Sequence, residues 1–151
     1  MVGGFYMAGV IGSHLGRMCV EATRMDVISH NIANAGDTKR VDGSSFKRSN
    51  VTVDLFTRVK KMTNRESGTG QSRCRNFVRI EEDLSPGRLR WDPTHPDAMK
   101  DGQYAGYVEE SNVSVVNEMV DLIAASRAYD SSAKFLGSMN IYLNRASVNS
   151  K

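Results

Sequence analysis

From Val115 to Leu143 the residues Val115, Met119, Leu122, Ser126, Tyr129, Ala133, Leu136, Asn140 and Leu143 follow one another at alternating steps of four and three. That alternation keeps all of them on one stripe of an α-helix and is the spacing of a coiled-coil seam. It predicts a helix over about 113–146, with Asn112 or Ser114 as its N-cap. At 1.5 Å per residue such a helix is about 50 Å long, which points away from a compact globule and toward a coiled coil or helical array. The small and polar seam members Ser126, Ala133 and Asn140 permit close approach and fix register at some cost in stability. Gly137 weakens the helix locally.

A second stripe of the same kind lies near the start. Ile11, Leu15, Met18, Ala22, Met25, Ser29 and Ile32 again alternate by four and three, and Ile28 widens the stripe. The pattern predicts a helix over 13–35, ended by Gly36 as a left-handed C′ residue. Upstream, Gly9, Gly12 and Gly16 each cost about 1 kcal/mol relative to alanine in a helix. The first dozen residues are therefore expected to fray in the isolated chain and to become helical where a partner covers them.

Between the helical ends the chain is too polar for a large core. Short period-two runs occur at 50–56, 77–80, 88–91 and 104–108, separated by the turn signals Pro86-Gly87 and Asp92-Pro93. The stretch 60–75 reads as a loop. The fold class expected is mainly α with a β-rich insertion: long N- and C-terminal helices packed as a coiled coil, with a small irregular β domain between them. The divisions are 1–36, 37–111 and 112–151.

The formal charge of +3 hides an asymmetry, because the segment 37–100 carries +5 and the remainder −2. A basic middle attracts nucleic acid in some proteins, but binding of that kind needs aromatic platforms or a groove-reading helix. Phe46, Phe56 and Phe77 are scattered and form neither. No nucleic-acid partner is expected. The first sixteen residues contain no Lys or Arg, and glycines interrupt their apolar run. They match neither a secretory signal nor a membrane span.

Residues that bear chemistry do not converge. His14 and His30 stand sixteen positions apart on one predicted helix, about 24 Å along its axis, too far to share a metal. His95-Pro96-Asp97 with Asp92 reads as a rigid turn and not as an acid–base pair. Phosphate loops, nucleophile elbows and zinc-binding helices are absent from the sequence. No catalytic residue, metal or cofactor is expected. Cys19 and Cys74 neither make a disulfide framework nor exclude one bridge.

Three segments carry a family resemblance. Residues 22–35, with Ile28, Asn31, Ile32, Ala33 and Asn34 at their centre, resemble the N-terminal signature of the flagellar axial proteins, the rod, hook and hook-associated subunits. Residues 88–98 followed by Tyr107-Val108, and residues 112–129, are similar to segments of the proximal rod subunits within that family. Another axial subunit is the alternative. The resemblance implies a structural protein whose terminal helices pack with copies of itself and with other rod subunits around an export channel. It implies an outward-facing insertion and passage through the flagellar type III export apparatus without signal cleavage. The location implied is the periplasmic rod of the basal body, with no membrane insertion. The subunit-packing residues expected are Leu15, Met18, Ala22, Met25, Ile28, Asn31, Ile32 and Asn34 on the first helix. On the second they are Val115, Met119, Leu122, Arg127, Tyr129, Ala133, Leu136 and Leu143. Asparagine disfavours a helix interior. Asn31 and Asn34 either bond across subunits, which the resemblance favours, or end the helix by competing for backbone groups. Glu118, Asp121, Arg127 and Asp130 are expected to pair with Arg17 or Arg24 or with a neighbouring subunit.

Overall fold

The structure, a computed structural model, describes residues 2–40, 43–53 and 78–148. Helix α1 runs Val2–Ala33 and helix α2 runs Val115–Val148. Between them lie β1 (Ser49–Val53), β2 (Val78–Glu82), β3 (Leu89–Trp91) and β4 (Tyr107–Glu109). The strands form two two-stranded sheets, β1 with β2 and β3 with β4. The mainly α chain with a β insertion is thus as the sequence pattern predicts. The predicted strand tail at 54–56, the loop 60–75 and Cys74 lie outside the described residues.

Two boundaries differ from expectation. Helix α1 begins at Val2, well upstream of the predicted start at Ser13. The glycine penalties are graded costs and not breaks. The same helix ends without a left-handed glycine. Among the described residues, positive φ occurs at Gly43, Gly102 and Gly106 and not at Gly36. Instead the Asn34 side chain donates to the His30 carbonyl at 2.7 Å, while Asp37 N–H donates to the Asn34 carbonyl. Asn34 therefore takes the helix-ending role.

The chain divides into two compact units. One comprises 1–25, 53–79 and 123–151, and the other 26–52 and 80–122. In the first, His14 of α1 stacks on Phe135 of α2 with ring centroids 4.0 Å apart. His14, expected on a helix surface, is thereby half-covered, with Nδ1 buried. Cys19 in the same unit is disulfide-bonded.

The second unit holds a small core of Val27, Ile28, Phe46 and Val108. The Arg40 guanidinium lies 4.5 Å from the Phe46 ring centroid, and His30 meets the ring edge-on. Strands β3 and β4 pair antiparallel, Leu89 opposite Glu109 and Trp91 opposite Tyr107. The turn before β4 delivers Gly106 at φ 84° directly beneath the Trp91 ring. A Cβ there would come within 2.6 Å of the ring. Gly106→Ala is expected to destabilise the protein by about 1–3 kcal/mol through left-handed strain and that collision. Trp91 is the sole tryptophan, so its fluorescence in a urea titration reads the loss directly.

Candidate subunit interface

The seam read from the sequence is displaced on α2 by one position at alternate steps. Glu118, Ala125 and Ser132 are buried, and Leu122, Tyr129 and Leu136 are half-buried. Val115, Met119, Ser126, Asn140 and Leu143 are exposed, whereas Ala133 is half-buried. On α1, Ile28 and Asn31 are buried, Met18, Ala22, Met25 and Ile32 are half-buried, and Leu15 and Ser29 are exposed. Arg127 is exposed.

The buried ends of the two stripes meet in the second unit as a polar junction. Asn31 is completely buried. Its side-chain amide accepts from Ser49 N–H at 2.9 Å and donates to the Ser49 carbonyl at 2.9 Å, acting as a strand partner for the first residue of β1. The same NH2 group donates to Glu118 Oε2 at 3.0 Å. The amide expected to reach a neighbouring subunit is therefore spent within the chain. Burying it unbonded would be costly, which is why the site supplies a partner for each direction.

Glu118 is also fully buried, in the first turn of α2. Arg48 Nε donates to Glu118 Oε1 at 2.5 Å, Nη1 to Asn50 Oδ1 at 2.6 Å and Nη2 to Asp121 Oδ2 at 3.3 Å. Glu118 and Asp121 thus pair with Arg48 of the insertion, and Arg24 pairs with Glu21 on its own helix. A planar guanidinium presents five N–H donors in a fixed fork and so reaches acceptors on several sides, whereas an ammonium's three donors all leave one nitrogen. Asn112, expected as an N-cap, instead accepts from Arg48 N–H at 2.7 Å and donates to the carbonyls of Asp83 and Ser85. The first intrahelical bond runs from Glu118 N–H to the Ser114 carbonyl, which leaves Ser114 at the cap position. The junction joins the end of α1, the start of β1, the segment after β2 and the first turn of α2.

Beside it, Lys47 Nζ lies 2.7 Å from Glu109 Oε1, which also accepts from Gly87 N–H at 3.1 Å. The Lys47 contact, followed by the Gly87 N–H, holds the Glu109 carboxyl below its ordinary pKa. Hydrogen bonds from Ser85 and Thr94 similarly lower Asp83 and Asp92. A carboxylate lowered by folding contributes stability that is complete above its ordinary value, 4.5 for Glu109, and lost as pH falls through the folded value. Glu109→Gln is therefore expected to reduce, without abolishing, the fall in thermal midpoint below pH 4.5. Melts at stepped pH check it.

What the junction holds in place is an uncovered apolar strip. Val116 is 72% exposed, Met119 51%, Val120 61% and Ile123 54%. Their i, i+3, i+4, i+7 spacing puts them on one face, turned away from Glu118 and Ala125. Four large apolar side chains in a row on a helix surface exceed the scattered exposure normal for a free protein and mark a contact surface. Sequence periodicity had picked out Met119 but not Val116, Val120 or Ile123, although the run Val-Val-x-x-Met-Val-x-x-Ile carries the signal.

Comparison with known proteins places this surface in context. A family model described as the flagellar basal body rod FlgEFG protein C-terminal matches residues 104–146, which include β4 and most of α2. The flagellar basal-body rod protein FlgC of Borreliella burgdorferi is 37% identical over 130 residues, covering 80% of this chain and 82% of that protein. This chain belongs to the FlgC family of flagellar basal-body rod proteins. The FlgC protein of Bacillus subtilis is 32% identical over 138 residues, covering 85% of this chain and 88% of its own length. That of Salmonella typhimurium is 26% identical over 81% of each chain. A structural rod protein needs faces rather than a cleft. Among the described residues there is no cluster that could hold a metal ion, and no helix long and apolar enough to cross a membrane.

Proposed function

We propose that this chain is a proximal rod subunit of the flagellar basal body. It assembles by covering the α2 strip of Val116, Met119, Val120 and Ile123 against neighbouring rod subunits, including copies of itself. The observation that carries the reading is that strip: apolar, contiguous, and presented on a helix whose opposite face is fixed by a buried ion pair. The basal-body rod names of relatives matched along about four-fifths of the chain support it. In the assembled rod the terminal helices pack as a coiled-coil-like layer around an export channel, and the insertion faces outward. The exposed seam positions Leu15, Val115 and Leu143 are covered there. The protein transmits torque by packing geometry, without catalysis or a cofactor. It reaches the periplasm unfolded through the type III export apparatus, and its signal is not cleaved.

A second reading, another axial subunit of the flagellum, draws on the family model, whose description spans FlgE, FlgF and FlgG. The FlgC relatives, matched over 80–85% of this chain, favour the rod reading over it. The test is composition. Basal bodies extracted with detergent and stripped of hook and filament retain this chain in stoichiometric amount if it is a rod subunit. Its recovery in the hook fraction alone would transfer it to the second reading, and its absence from both would end the assembly account.

A further inference from the structure

Aspartate followed directly by glycine occurs twice in the chain, at 42–43 and at 101–102. The pair bears chemistry of its own. The nitrogen of the residue after an aspartate is held within reach of the aspartate's carboxyl carbon, on which it can close a five-membered ring. Glycine lacks a Cβ and leaves that nitrogen open to approach. A fold suppresses the reaction where the N–H is already engaged, because its hydrogen bond must first be broken. The two pairs differ in this respect. Gly43 N–H donates to the Arg40 carbonyl at 3.0 Å. Gly102 N–H has no hydrogen-bond acceptor among the described residues, and Asp101 and Gly102 are both exposed.

The loop that carries the second pair can change its backbone without disturbing the strands. Met99 N–H donates to the Tyr107 carbonyl at 2.9 Å and Gly106 N–H to the Met99 carbonyl at 2.8 Å, which closes the loop at its base. Gly102 takes φ 91°, and a Cβ added to it would meet nothing within 4 Å. Nothing is packed over this turn to hold its shape.

We propose that Asp101 is a site of isoaspartate formation in the folded chain, and in that form a methyl acceptor for a carboxyl methyltransferase that uses S-adenosylmethionine. The Gly102 nitrogen bonds to Asp101 Cγ, and its proton leaves with the carboxyl hydroxyl as one water. The product is a succinimide. Water then adds to one of the two ring carbonyls. Opening at Cγ restores aspartate. Opening at the main-chain carbonyl leaves the chain running through Cβ and Cγ, with the former main-chain carbon as a free carboxylate. One water leaves and one returns, so mass and oxidation state are unchanged. The product lengthens the loop backbone by one methylene. This chemistry is independent of the rod-subunit reading.

The test uses the full-length chain, kept folded at neutral pH and growth temperature and sampled over days. Each sample is treated with a purified isoaspartyl methyltransferase and radiolabelled S-adenosylmethionine, and the labelled peptides are mapped. Label is expected in the peptide holding 101–102, rising with time, and about tenfold less in the peptide holding 42–43. The same chain unfolded in urea is expected to label both. Asp101→Glu, which would have to close a six-membered ring, is expected to remove the label from its peptide at an unchanged circular dichroism spectrum. Folded-chain label at 42–43 that equals or exceeds that at 101–102 overturns the proposal. So does a folded chain without label at 101–102 when the urea-treated chain carries it, or label at that peptide that persists in Asp101→Glu.

Discussion

Arg48→Met is expected to cost the isolated protein about 3–5 kcal/mol of unfolding free energy, the largest loss from any single substitution outside its hydrophobic core. The Glu118 side chain is only 1% exposed and holds a charge whose main compensation is Arg48 Nε at 2.5 Å. Removing the cation leaves a buried carboxylate with the Asn31 amide as its remaining described partner. It also releases Asn50 and Asp121 from the same guanidinium. Glu118→Gln is expected to cost less, since the neutral amide keeps an acceptor for Asn31 and Arg48 still reaches Asp121. Replacing both members, Arg48→Met with Glu118→Leu, is expected to recover much of the loss, because the penalty lies in the uncompensated charge and not in the absent pair. Urea titrations of the four proteins form a double-mutant cycle. A cost below 1 kcal/mol for Arg48→Met would mean that the junction does not set the geometry of the α2 start.

The second large effect is on assembly and not on folding. Val116→Glu with Val120→Glu is expected to leave the monomer within about 0.5 kcal/mol of the unaltered protein, because both side chains are mostly exposed. In cells the same pair is expected to abolish incorporation into basal bodies and motility. Covering two carboxylates against an apolar partner costs several kcal/mol per contact when no cation answers them. Circular dichroism melts and quantitative recovery from basal bodies separate the two outcomes. Normal recovery would remove the strip from the account. A lowered melting temperature would show instead that Val116 and Val120 support the fold of the single chain.

These two experiments also divide what the sequence made legible from what it concealed. Both long helices were evident from the alternation of four and three, and all four strands overlap the period-two runs. The register was less evident. Hydrophobic periodicity reports every helix face that ends up covered, whether by the same chain or by a neighbour. On α2 the sequence stripe through Met119 and Ser126 averages two faces. One is turned inward, at Glu118, Ala125 and Ser132, and the other is left open, at Val116, Val120 and Ile123. A buried glutamate and a buried serine carry no hydrophobic signal, so the inner face was the harder one to see. Asn31 was singled out correctly as unusual for a helix interior. Its partner, the backbone of Ser49, lies across a turn and a loop, and no local pattern announces it. Arg48 gave no sign of burial because an arginine beside Lys47 in a basic stretch looks solvated until a carboxylate is found facing it. The family resemblance supplied what periodicity does not, the order of the three segments along the chain.

The central claim is that this chain is a structural part of the rod, and the most direct measurement is electron cryotomography of basal bodies in the motile host after deletion of its gene. The account predicts loss of the rod beyond its membrane-proximal start, restored by the unaltered chain and not by the Val116→Glu, Val120→Glu chain. A complete rod and normal motility in the deletion strain would contradict it.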